Sequence, residues 1–123
     1  MFGWFRRKRV EPEPQFLDFG PISEFHAAAR GEGEERLVTA LGLLLREHKN
    51  VERAYLARVR YGAGQPLDMA LCLVGEENSA LYAALRKLFH AMFEQGQHLD
   101  IVFVSPDEEA RLRELAPPVY ERT

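Results

Sequence analysis

The sequence predicts an α+β domain, a small mixed sheet of three to four strands with two main helices packed on one face. Three observations carry this. Two stretches repeat apolar residues at helical spacing, two runs rich in β-formers bracket a glycine turn, and a third β-rich run follows the second helical stretch. A length of 123 residues and a hydrophobic share of 46% suit one soluble domain with a real core.

The chain opens MFGWFRRKRVEPEP. Proline at alternate positions favours an extended, solvated segment, so residues 1–14 are expected to be a mobile basic leader and 15–123 the folded domain. QFLDF at 15–19 has weak strand character, and PISEFHAAAR at 21–30 reads as a short helix broken by Gly31 and Gly33. From Glu34 to about Lys49, Leu37, Leu41, Leu44 and Leu45 recur as on one face of an amphipathic helix.

VERAYLARVRY (51–61) and LDMALCLV (67–74) flank GAGQP, which gives a β-hairpin. With a loop at 62–66, Tyr61 faces Leu67, and Val59, Ala57 and Tyr55 face Met69, Leu71 and Leu73. Those residues, with Leu99, Ile101 and Phe103, then form the face under both helices. A shift by one residue would place Arg58 and Arg60 in the core, at a heavy desolvation cost. The second helix is expected from about Asn78 to Gln95, its stripe built on Leu81, Leu85, Leu88 and Met92, with Gly96 as its stop.

HLDIVFVS supplies the third strand. Ser105, Pro106 and Glu108 then give an N-cap, a proline at the first helical position and a capping-box glutamate. A strand at 15–19 would make the order β-α-β-β-α-β, a ferredoxin-like variant. On the second sheet face Ala54, Leu56, Ala70, Cys72, Val74, Val102 and Val104 are apolar. Such a patch needs cover, either by the last helix through Leu112 and Leu115 or by a second copy in a homodimer.

NVERAYLARV at 50–59, PLDMALCLVG at 66–75, LDIVFVS at 99–105 and PPVYER at 117–122 together resemble the C-terminal domain of the bacterial enhanced serine sensitivity protein (SseB) family. That family is defined by altered sensitivity to serine, with no established reaction. The resemblance therefore implies a serine or amino-acid context and brings no catalytic residues with it.

The residues themselves offer little chemistry. Sixteen Lys and Arg stand against nineteen Asp and Glu, and four of the positive charges are Arg6, Arg7, Lys8 and Arg9. The rest is acidic, which argues against nucleic acid as a partner. The lone Cys72 sits in an apolar strand and reads as a packed thiol in a reducing, cytoplasmic setting. His90 and Glu94 share a helical turn with Arg86 and Lys87 close by, cations that would repel a metal. GEGEE at 31–35 has glycines before a helix, but three glutamates and no lysine.

No cofactor is expected, and no nucleophile, base and orienting group can be assembled, so the reading is a non-catalytic domain with an unidentified protein or small-ligand partner. Arg58, Arg60 and Asp68 are the candidate anion- or partner-binding cluster. A second candidate is weak contact of residues 1–10 with anionic membrane, through Phe2, Trp4, Phe5, Arg6, Arg7, Lys8 and Arg9, which would make the protein membrane-peripheral.

Overall fold

The computed structural model describes the backbone of residues 7–10 and all of residues 22–28, 31–62, 64, 66–93 and 99–122. In chain order the elements are β1 (Arg7–Val10), β2 (Glu24–Ala27), α1 (Glu32–Leu45), β3 (Val51–Arg60), β4 (Asp68–Gly75), α2 (Ser79–Met92), β5 (Leu99–Phe103), α3 (Pro106–Leu115) and β6 (Tyr120–Glu121). The α+β class holds. The described strands form one mixed sheet in the order β1-β5-β4-β3-β2, with β6 added to β3. It exceeds the expected three to four strands because short edge strands are built from sequence too brief to show a period.

Two of those strands correct the sequence reading. Arg7–Val10, expected in a mobile leader, pairs antiparallel with β5, from Arg7 opposite Val102 to Val10 opposite Leu99. An unpaired β5 edge offers a row of backbone donors and acceptors, and any short extended segment can satisfy them. EFHA, expected as helix, is β2, antiparallel to β3. Its alanine-rich neighbourhood favours helix, but burying Phe25 beside Val59 while Glu24 and His26 stay exposed outweighs a propensity difference of a few tenths of a kcal/mol. Among the described residues the strand order differs from the ferredoxin-like variant. The strands on either side of α1, β2 and β3, are adjacent and antiparallel, with no strand inserted between them. The proposed strand at 15–19 and the Gly96 stop lie outside the described residues.

The helices begin where their caps are written. Asn78 Oδ1 accepts from the N–H groups of Ala80 and Leu81 at 2.8 and 3.2 Å, and Ser105 Oγ accepts from Glu108 N–H at 3.2 Å while Glu108 Oε1 accepts from Ser105 N–H at 2.9 Å. At α1 the Gly31 N–H donates to Glu34 Oε1 at 2.9 Å. Leu37, Leu41 and Leu45 of α1 and Leu81, Leu85 and Phe89 of α2 pack in one cluster against Leu71, Leu73, Leu99, Ile101 and Phe103, so both main helices do cover one face.

The β3–β4 register is one residue from the expected one. Ala57 faces Ala70, Leu56 faces Leu71 and Tyr55 faces Cys72, and the ladder ends at Val59 opposite Asp68, which leaves a longer loop. The helix side of β3 is therefore Ala54 and Leu56, whereas Tyr55, Ala57 and Val59 join Ala70, Cys72 and Val102 on the other face. Arg58 and Arg60 do move to the helix side, but they lie outside the cluster buried under the helices, so the expected cost is not met. Arg58 is exposed and the Arg60 side chain keeps 27% of its surface. The shifted register also places the Tyr55 and Tyr61 hydroxyls on the face that holds Glu109 and Asp100, two carboxylates that need donors there.

The second face is covered from within the chain. Leu112 of α3, with Ile22 and Phe25, packs on Ala70, Cys72 and Val102, while Leu115 remains 40% exposed. The result is three layers: α1 and α2, the sheet, and α3.

The chain end locks this arrangement. Behind β6, the Arg122 guanidinium donates to the carbonyls of Val51 (3.1 Å), Leu45 (3.2 Å) and His48 (2.7 Å), so it serves the C-terminal end of α1, where a cation is favoured. Nearby, Gly75 has φ +150°, and a Cβ there would overlap the Asn50 carbonyl. Arg122→Ala is expected to cost about 1.5–3 kcal/mol, the scale of charge-assisted hydrogen bonds. Gly75→Ala should cost at least the roughly 1–3 kcal/mol of a strained backbone site. Urea unfolding of each variant checks both, and a change within about 0.5 kcal/mol, usual for ordinary surface positions, would show that neither contact matters.

Candidate functional site

The sheet extends past its helices at the hairpin end, and the candidate site lies there. α1 enters and α2 leaves at this end, where Leu37, Met69, Met92 and Phe93 give apolar walls to an open groove of ≈ 660 Å³ whose rim includes Glu34, Arg36 and Asp68. Phe93 is held by a stacked contact with Phe89, ring centroids 5.2 Å apart. The groove floor continues onto β3, because Met69 is the cross-strand partner of Arg58.

Arg58 and Arg60 follow Ala54 and Leu56 on the same side of β3, the helix side, and β2 sets His26 opposite Arg58 and Glu24 opposite Arg60. Glu24 bridges its neighbours: Arg60 Nε lies 2.7 Å from its Oε2 and His26 Nε2 lies 3.2 Å from its Oε1. In so open a place these pairs contribute at most about 1 kcal/mol each. Asp68 faces Val59, so its register puts it on the α3 side of the sheet. The two predicted arginines thus share a face of β3, while Asp68, on the other register face of β4, still lines the groove rim. Of the leader residues, Arg7, Lys8 and Arg9 belong to β1, and Phe2, Trp4, Phe5 and Arg6 lie outside the described residues, as do Glu94 and His98. Cys72 is fully buried, as expected of a packed thiol.

A polar network that sequence reading missed lies under α3. Glu109 accepts from Arg53 Nε at 2.6 Å and Nη2 at 3.1 Å and from the Tyr55 hydroxyl at 2.7 Å, with Arg113 Nη2 at 3.5 Å. The Arg53 hydrogen bonds, which outweigh burial, bring its carboxyl down to about 2, and burial first and Glu109 second push the Tyr55 hydroxyl up to about 12. Bonded to Arg53 and Tyr55 of β3 and nearly closed off, Glu109 anchors α3 to the sheet. Its signal was present in the sequence, since Glu109 precedes Leu112 by three residues and so shares its inward helix face. Tyr61 similarly donates to the fully buried Asp100 at 2.8 Å.

Among the described residues no group of three or more His, Cys, Asp or Glu could hold a metal, and no helix is long and apolar enough to cross a membrane. With the geometry set, residues 31–122 match the family model for the SseB protein C-terminal domain. The chain belongs to the SseB family. The match spans α1 through β6, both main helices and the sheet strands that define the groove. Comparison with curated proteins and with solved structures gives no match.

The Glu109 carboxyl sets a pH dependence. Because its folded pKa lies below the ordinary 4.5, the stability it adds is complete above pH 4.5 and is lost as pH falls towards 2. At pH 7, Glu109→Gln is expected to cost about 1–3 kcal/mol and Tyr55→Phe about 1 kcal/mol in urea unfolding. The Glu109→Gln penalty should shrink steadily between pH 4.5 and about 2. A penalty independent of pH in that window would contradict the ionised network.

Proposed function

We propose that this SseB domain is a non-catalytic binding module whose hairpin-end groove takes a ligand with an apolar body and a carboxylate, an amino acid or a peptide C-terminus. The observation that supports this is the juxtaposition of an apolar floor, Leu37, Met69 and Met92, with Arg36 on the rim and the exposed Arg58 beside Met69. A volume of ≈ 660 Å³ lies within the roughly 300–1,000 Å³ of small-molecule sites. The first turn of α1 carries Glu32, Glu34 and Glu35, which offset the positive end of the helix. The arginines are then the groups left to attract an anion, and a weak electrostatic hold of this kind suits a sensor of amino-acid supply.

The serine-sensitivity phenotype that defines the family supports the amino-acid class. No nucleophile and base converge at the groove among the described residues, so the reading assigns it recognition alone.

The test is an amide-resolved NMR titration with L-serine, L-leucine, L-phenylalanine and a short peptide bearing a free C-terminus. Shifts at Gly33, Met69 and Ala91 that saturate with at least one of these, and that weaken about tenfold or more in Arg58→Glu, are the expected result. Shifts from none of them would sink the proposal.

A further inference from the structure

α1 carries an oddity that neither the fold nor the groove uses. Gly42 stands inside the helix, where glycine costs about 1 kcal/mol relative to alanine. Among the described residues nothing outside its own helix comes within 4 Å of where its Cβ would be, so no close approach seen there requires it. Next to it Leu43 is 61% exposed, the more exposed of the two large apolar side chains on the surface among the described residues. Both line a second open groove, ≈ 720 Å³, between the outer side of α1 and the chain end, with Val38, Val119 and Tyr120 as further apolar lining and Arg46 at the rim.

We propose that this surface binds a second copy of the chain, with α1 antiparallel to its counterpart about a twofold axis at Gly42. A missing side chain at that point lets the two backbones approach, and each Leu43 then covers the partner's Gly42 and enters the partner's Val38 and Val119 groove. A knob and its hole on one patch is what an isologous contact demands. Charge selects the same occupant and direction. α1 is acidic at its start, Glu32, Glu34 and Glu35, while Arg46 and Lys49 follow at its other end. Antiparallel pairing about Gly42 brings the C-cap Arg46 level with the partner's Val38, each four residues from the axis, and so three residues from the partner's Glu35. Arg46 comes about 4.5 Å along the axis from that glutamate, within reach of its side chain. Parallel pairing would instead stack acid on acid. None of Glu35, Gly42, Leu43 and Arg46 lines the hairpin-end groove, so ligand binding there and dimerisation can fail separately.

The experiment is sedimentation velocity of the full chain from micromolar concentration upward, for wild type, Leu43→Arg, Gly42→Leu and, as a control at the other exposed leucine, Leu115→Arg. The wild type and Leu115→Arg should show a concentration-dependent dimer, weakened by added salt. Leu43→Arg and Gly42→Leu should each weaken it about tenfold or more. Gly42→Leu raises helix propensity, so its thermal melt read by circular dichroism at low concentration should not fall below wild type, which separates a lost interface from a lost fold. A wild type monomeric at every concentration, a dimer that either α1 variant leaves intact, or one dissociated by Leu115→Arg overturns the proposal.

Discussion

The pairing of β3 with β4 is the constraint from which the other contacts follow. Ala57 opposite Ala70 fixes which side of β3 meets the helices, because side chains alternate and a shift of one residue exchanges the two faces. With this register Ala54 and Leu56 meet α1 and α2, while Tyr55, Ala57 and Val59 meet α3. Both faces of the sheet centre are apolar, so both must be covered. α3 is therefore an obligatory third layer.

The same pairing determines where polar groups can go. Arg53 and Tyr55 fall under α3, where only a carboxylate on the inward side of that helix can satisfy them, and Glu109 supplies it. Removing one partner would leave a buried or half-buried group without its counter-group, a cost larger than the net gain of forming the network. Arg58 and Arg60, two and four residues past Leu56 on the helix side, lie outside the apolar cluster under α1 and α2. One strand thus carries an arginine bonded to α3 on one side and, on the other, an exposed Arg58 and a half-buried Arg60 paired with Glu24.

How far the sequence discloses this depends on how local each signal is. The starts of α2 and α3 were legible because Asn78, Ser105, Pro106 and Glu108 act within one turn of chain. β4 and β5 were legible as strands, and so were the sides that Leu71, Leu73, Ile101 and Val102 take. The side of β3 was not, since both of its faces are largely apolar and the choice rests on distant partners, Glu109 and Asp100. β2 was hidden by helix-favouring alanines, and β1 by charges and prolines around a segment whose only requirement is to extend along an open edge. Of the candidate site, the pairing of Arg58 with Arg60 was legible from their spacing of two. Their separation from Asp68 was not, because the arginines change face with the register while Asp68 keeps its side, and the groove beside Arg58 depends on where two helices end in space.

The reading of the groove as a recognition surface stands on this geometry, since a β3 turned over would put Arg58 and Arg60 under α3 and away from Met69. The most direct measurement is therefore the register itself, by cross-strand Hα–Hα and amide nuclear Overhauser contacts in solution. The account predicts contacts joining Tyr55 with Cys72, Leu56 with Leu71 and Ala57 with Ala70. Contacts joining Tyr55 with Leu73 and Ala57 with Leu71 would contradict it, and the assignment of both faces would fall with them.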